Sequence, residues 1–206
     1  MVGRKRKTRS WLANKKRDPY TRRAREAGYR SRAVYKLQQI DEQDRLFAGA
    51  TRVLDLGSAP GGWSQYARER VMGGSIVAID ILPMPPIEGV AFVQGDFRHE
   101  AVQKRLMELA SPHTYDLVIS DMAPNITGIA DVDQANAAEL AEGAITLSAR
   151  ILAKNGALVV KLFEGSEAAQ IRNLGTSRFR RCVVRKPQAS RGKSREIYLL
   201  LRGPLG

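Results

Sequence analysis

Residues 53–63, Val53-Leu54-Asp55-Leu56-Gly57-Ser58-Ala59-Pro60-Gly61-Gly62-Trp63, decide the fold. Val53 to Leu56 form a short apolar run of the kind that fills a buried strand, and the Gly57 to Gly62 turn sends the chain into a helix beginning near Trp63. Glycine lets backbone come within contact distance of a ligand, and the helix N-terminus behind the turn offers unpaired N–H groups. Three glycines and a proline in six residues are more than a plain connecting turn requires. A small polar ligand is therefore expected in this cradle.

The glycine spacing is G-x-x-x-G-G. It matches neither the dinucleotide G-x-G-x-x-G nor the phosphate-binding G-x-x-x-x-G-K-[ST], so those two ligands lose support and S-adenosylmethionine becomes the leading candidate. No metal is expected.

Working outward, apolar runs recur at Ile76 to Ile79, Val90 to Val93, Leu117 to Ile119, Ala157 to Phe163, Cys182 to Val184 and Ile197 to Leu201. Helical patterns fill the gaps at 63–71, 100–109, 133–152 and 166–174. The alternation predicts an α/β fold with a doubly wound, mostly parallel sheet of seven strands. The polar stretch from Arg185 to Arg195 has no helical pattern, so the last strand is expected to run antiparallel. Ahead of the glycine turn, Asp18-Pro19 opens one helix and Gly28 closes it; Ser31 is the expected N-cap of a second, running to about Gln43. On that helix Val34, Leu37 and Ile40 recur at core spacing, which displaces Lys36 from the apolar stripe and leaves it available for function.

At 206 residues the chain is long enough for one sizeable core, and a single domain over 18–206 is expected behind a flexible basic tail, 1–17. No run of 18 apolar residues predicts a membrane span, and the basic start lacks the apolar stretch of a secretory signal, so the expected location is the cytoplasm. A lone Cys182 agrees with a reducing compartment, and its place in a strand favours packing over reactivity. The net charge of +13 is concentrated at the ends. Residues 1–36 hold 14 Lys/Arg against Asp18 and Glu26, residues 37–177 are net −7, and residues 178–195 carry eight Lys/Arg and no acid. Two basic blocks around an acidic middle point to a polyanion, with nucleic acid ahead of membrane.

Acids fall where a ligand of such a sheet lies, beyond the carboxyl ends of the strands. Asp55 sits late in the first strand, Asp80 ends the second, Asp96 follows the third and Asp121 ends the fourth. Asp80 lies 18 residues past Gly62, near the spacing at which an acid holds ribose hydroxyls. Asp96 is placed for an adenine amino group, and Asp55 for a methionine ammonium or for orienting the turn. Trp63 either closes over a flat ligand or packs into the core. Lys161, enclosed by Val159, Val160, Leu162 and Phe163, is an unusual residue inside an apolar strand; burial forces it to be paired, to reach water or to favour its neutral form. Glu196 opens the last strand among Arg191, Lys193 and Arg195.

Taken in order, Arg30-Ser31-Arg32-Ala33, Asp55-Leu56-Gly57, Gly62-Trp63, Gly95-Asp96-Phe97-Arg98, Ser120-Asp121-Met122-Ala123-Pro124-Asn125, Val160-Lys161 and Ser194-Arg195-Glu196 resemble the FtsJ (RrmJ, RlmE) family of bacterial ribosomal RNA large-subunit methyltransferases. The resemblance spans nearly everything after about residue 18. It implies a Rossmann-like fold and S-adenosylmethionine-dependent methylation of the 2′-hydroxyl of a uridine in the A loop of 23S RNA, within the large (50S) subunit or its precursor. It further implies a catalytic tetrad on Lys36, Asp121, Lys161 and Glu196, and cofactor contacts at Gly61, Trp63, Asp80, Asp96 and Asp121, to which the motif reading adds Asp55 and Gly57. The segment from Glu164 to Arg181 departs most from the family, with Gly175 and Thr176 expected to interrupt a helix.

A ribose hydroxyl is a poor nucleophile until a base begins to take its proton. In this reading Lys161 is that base, Asp121 orients it, and Lys36 and Glu196 position the ribose. Both basic blocks are expected to converge on the mouth of the sheet, where they would hold phosphates. Competing expectations are a non-catalytic RNA-binding assembly factor, a nicotinamide-dependent oxidoreductase, and a 2′-O-methyltransferase acting on transfer RNA or messenger caps. A monomer is expected.

Overall fold

The computed structural model describes residues 18–111, 114–125, 127–191 and 194–205; the expected tail 1–17, and Lys193, lie outside the described residues. Seven strands form one sheet: β1 (Arg52–Leu56), β2 (Ser75–Asp80), β3 (Val90–Gln94), β4 (Tyr115–Ser120), β5 (Leu152–Phe163), β6 (Phe179–Arg185) and β7 (Glu196–Pro204). Their spatial order is β3-β2-β1-β4-β5-β7-β6. The first five are parallel; β7 inserts antiparallel between β5 and β6.

Helices cover both faces. Helices α1 (Pro19–Glu26), α2 (Val34–Asp44) and α3 (Gly62–Arg70) pack on one, and α4 (Glu100–Ala110), α5 (Ala130–Ile151) and α6 (Ala168–Arg178) on the other. Strand alternation divides the core accordingly. Val53, Val159 and Leu200 point toward α2 and α3, whereas Leu54, Val160 and Leu201 point toward α5 and α6.

Local sequence accounts for the helix ends. Asp18 caps α1 by accepting the Tyr20 N–H at 3.0 Å, with Pro19 in the first turn. The N-cap of α2 is Ala33 and not Ser31. Ser31 instead opens a tight turn: its hydroxyl accepts the Ala33 N–H at 3.1 Å and its carbonyl the Val34 N–H at 3.3 Å, so the regular helix starts later than Ser31 suggested. Helix α6 likewise corrects the expectation of a break at Gly175 and Thr176, since it runs on to Arg178. A Cβ on buried Gly175 would lie 2.9 Å from Leu201 Cδ2; glycine there lets the helix settle directly onto β7.

The register positions the site. Leu56 pairs with Ile79 on one side and Ser120 on the other, Ser120 with Val160, and Lys161 with Tyr198. One step further along, Asp80, Gly57, Asp121, Lys161 and Tyr198 therefore fall in a single row across the sheet at the carboxyl ends of the parallel strands. Between β1 and β4 the strand order reverses, which is where open α/β sheets bind ligands.

Candidate active site

Lys161 is 8% exposed, so its ammonium must be compensated inside the protein. Asp121 supplies that twice: Lys161 Nζ donates to the Asp121 carbonyl at 2.6 Å and lies 3.1 Å from Oδ1 of the same residue. Lys36, presented by α2, donates from Nζ to Glu196 Oε2 at 2.8 Å and sits 3.7 Å from Asp121 Oδ1. Two cations and two carboxylates thus form one connected, nearly buried network. All four tetrad positions implied by the family resemblance are brought together.

Two members of this network were not singled out in the sequence. Tyr198 is fully buried; its hydroxyl donates to Asp121 Oδ1 at 2.7 Å while its ring lies under Lys36 Nζ, 5.8 Å from the centroid. Burial, reinforced by the Asp121 and Glu196 carboxylates, pushes the Tyr198 hydroxyl well above the usual phenol range and keeps it a donor. Ser190 donates to Glu196 Oε1 at 2.8 Å, holding the carboxylate that holds Lys36. Tyr198 stands two residues after Glu196 on a strand, hence on the same face; that parity was the available signal.

Beside the network lies a cleft of about 630 Å³ lined by Gly57, Asp80, Ile81, Leu82, Asp96, Asp121 and Met122 among others. Its size is that of a small-molecule site. Gly57 has φ +75°, and a Cβ there would lie 2.2 Å from Met122 Cγ, so the glycine is required both by conformation and by the close approach of the loop after β4. Asp80 ties two walls together, accepting the Ala59 N–H at 2.9 Å and the Leu82 N–H at 2.8 Å. Each of its oxygens retains a second lone pair for a ribose hydroxyl. Asp96 is gripped by Arg98, whose Nη2 lies 2.6 Å from Oδ2; this bond holds the Asp96 carboxyl below its ordinary range. Apolar walls with four carboxylates, Asp80, Asp96, Asp121 and Glu139, suit a cationic nucleoside, so the cleft fits S-adenosylmethionine.

Three sequence-derived cofactor residues do not line this cleft. Trp63 is 3% exposed, donates from Nε1 to the Ala33 carbonyl at 2.8 Å and stacks on Tyr198 at 5.8 Å between centroids, so its side chain belongs to the core. Gly61 is buried beneath Met84 and Ile87, and its N–H is spent on the Ser58 carbonyl at 2.7 Å. The backbone N–H groups at the start of α3, Trp63's included, have no acceptor within the helix. Asp55 is fully buried on the far side of the turn, where Oδ2 accepts the Ser64 hydroxyl at 2.6 Å and Oδ1 has no partner among the described residues. It orients the turn against α3 and does not reach the cleft, because strand alternation points it toward that helix. Burial pushes its carboxyl up to about 7, against the lowering effect of the Ser64 bond.

In the sequence Arg30 stands out only as part of the Arg30-Ser31-Arg32-Ala33 motif. Its guanidinium donates to the Pro85 and Pro86 carbonyls at 2.6 and 2.7 Å, clasping the loop that carries the Ile81 and Leu82 wall. Other members of the basic blocks are also engaged internally: Arg32 with Asp18 and the Ala189 carbonyl, and Arg185 with both oxygens of Asp44 at 2.6 Å.

The FtsJ-like methyltransferase family profile matches residues 29–204. The chain belongs to this family. It is 50% identical over 200 residues to ribosomal RNA large subunit methyltransferase E of Verminephrobacter eiseniae, covering 97% of this chain and 83% of the relative. To the protein of that name in Methylobacillus flagellatus it is 48% identical, covering 94% of each. Among solved structures, a ribosomal RNA methyltransferase of Plasmodium falciparum superposes with a TM-score of 0.77 at 30% identity, over 86% of this chain and 100% of that one. Human methyltransferase-like protein 13, solved with S-adenosylhomocysteine (SAH), shares the fold at a TM-score of 0.55 and 15% identity, over 82% of this chain and 78% of that one. FtsJ-like methyltransferases use S-adenosylmethionine, in agreement with the chemistry of the cleft. No helix among the described residues is long and apolar enough to cross a membrane.

Proposed function

We propose that this methyltransferase methylates the 2′-hydroxyl of a uridine in the A loop of large-subunit ribosomal RNA, acting as a monomer in the cytoplasm on the large subunit or its precursor. The observation that carries the reading is the double role of Asp121: it lines the cleft and holds both lysines. A cofactor in the cleft and a hydroxyl at the lysines would then meet at one residue.

S-adenosylmethionine supplies an activated methyl group on a sulfonium. The protein must align an oxygen behind that carbon and take its proton. Asp80 would hold the cofactor ribose, Asp96 with Arg98 its adenine edge, and the free N–H groups at the start of α3 its carboxylate. Lys161 is the base. Its Nζ donates to the Asp121 carbonyl and lies 3.1 Å from Oδ1 of the same residue, so Asp121 would fix the amine where the incoming hydroxyl must meet it. Lys36, fixed by Glu196, places its positive charge where the oxygen becomes negative.

The deciding experiment supplies S-adenosylmethionine labelled in its methyl group together with large subunits from cells lacking the protein, followed by mapping of the labelled ribose. Label on an A-loop uridine is expected. Absence of transfer would leave the assembly-factor reading, and label on transfer RNA or a cap in preference would reassign the substrate.

A further inference from the structure

The register divides the second basic block. Residue Arg185 lies opposite Tyr198 at the active-site end of the sheet, whereas Phe179 lies opposite Pro204 at the other end. Lys186, Arg191 and Arg195, in the connection from β6 to β7, are therefore at the mouth. Arg178, Arg180 and Arg181 are not: at ~3.3 Å per residue of strand they sit roughly 13 to 23 Å back along β6 from Arg185. The expectation that the whole block faces the mouth is thereby corrected.

We infer that these three arginines form a second contact surface for the phosphate backbone of the RNA substrate, at the pole opposite the site. All three are exposed, and none has a carboxylate within ion-pairing distance among the described residues. Arg181 pairs in register with Arg202, whose guanidinium is turned to the Asp44 carbonyl at 2.9 Å; Arg181 is left facing outward beside a second cation. Arg180 lies on the other face of β6, its stem over Gly203, where a Cβ would come within 3.2 Å of Cδ. Arg178 ends α6. The guanidinium groups thus straddle the free edge of the sheet, because β6 is its outermost strand. Three like charges in four residues, none in an ion pair among the described residues, repel one another, with Arg178 alone at a helix C-terminus where a cation is favoured, while guanidinium matches phosphate in geometry and charge. A single charge would suffice to keep a sheet edge from pairing with another chain. An RNA reaching this pole from the mouth must extend well beyond the target nucleotide, so the partner is a large structured RNA.

This inference rests on the RNA-methylation reading. Its test compares the full chain with the triple variant Arg178→Gln/Arg180→Gln/Arg181→Gln and with the triple lysine variant at the same positions. Binding to deproteinised large-subunit RNA and to a short hairpin carrying the A loop is measured across salt concentrations. For the large RNA, the log–log salt slope of the glutamine variant should become shallower by about 2, as the loss of some three phosphate contacts requires. The lysine variant should keep the original slope, and hairpin binding should not change slope in either. Equal slopes for all three proteins on the large RNA would overturn the inference. So would self-association of the glutamine variant with an unchanged slope, which makes the arginines guards of the edge, or a loss confined to binding of anionic lipid vesicles. Failure of the unaltered protein to bind either RNA would instead remove the RNA-methylation reading itself.

Discussion

Lys161 on β5 and Tyr198 on β7 are direct cross-strand partners, and both terminate on Asp121, the amine on its carbonyl at 2.6 Å and the hydroxyl on its Oδ1 at 2.7 Å. The antiparallel insertion of β7 thus places a neutral donor beside the charged one, and the carboxylate between them cannot turn without losing one of its bonds.

Replacing Lys161 with Ala should abolish methyl transfer while binding of S-adenosylmethionine survives, since Lys161 does not line the cleft. General-base catalysis is typically worth ~10²- to 10⁴-fold. Single-turnover transfer and calorimetric titration of the cofactor would separate the two effects, and near-normal turnover would refute the assignment.

Tyr198→Phe keeps the ring against Trp63 and removes only the hydroxyl donated to Asp121. Hydrogen bonds to charged groups contribute about 1.5–3 kcal/mol, and a loss of that size is expected in urea denaturation, together with slower transfer as Asp121 gains freedom. Unchanged stability and rate would show that the lysines alone fix Asp121.

Gly57→Ala places a side chain at φ +75° and against Met122. The conformation alone costs roughly 1–2 kcal/mol. Displacing Met122 disturbs the cleft wall as well, so cofactor affinity should fall by more than an order of magnitude, measurable by the same titration.

Asp55 makes stability depend on pH. Its unfolded carboxyl titrates near ~3.9, whereas burial raises the folded value to about 7. In between, the folded chain retains a proton that the unfolded chain has released. The contribution is therefore fully present below about pH 4, declines as pH rises and is lost above about 7. The decline is on the order of 4 kcal/mol across that window. Asp55→Asn should flatten it in urea unfolding followed against pH; an identical decline in the variant would place its origin elsewhere.

Methylation should fall steeply with monovalent salt. If Lys186, Arg191 and Arg195 at the mouth each hold a phosphate, the log–log slope should be about −2 or steeper. A flat response would count against phosphate contacts at the rim.

The order of elements was readable because each strand is a compact apolar run and each helix an amphipathic gap between two of them. Acids at strand ends and a lysine inside an apolar strand are local anomalies, and anomalies of that kind mark sites. For the side chains of Trp63 and Asp55, nearness in sequence to the glycine turn does not say whether they face the cleft or the core, and both lie in the core. Tyr198 escaped because a tyrosine among Ile197, Leu199, Leu200 and Leu201 looks like core until its neighbour across the ladder is known.

By itself, then, the chain's sequence determined the α/β fold and the glycine turn, since these follow from periodicity and backbone freedom, while Lys36, Asp121, Lys161 and Glu196 were nominated as a tetrad by resemblance to the family. The tertiary structure alone decided that Asp80, Gly57, Asp121, Lys161 and Tyr198 share one row, and that Arg178, Arg180 and Arg181 lie at the far end. Both depend on register between strands distant in sequence, and register is set by how two faces of the sheet bury their apolar side chains together.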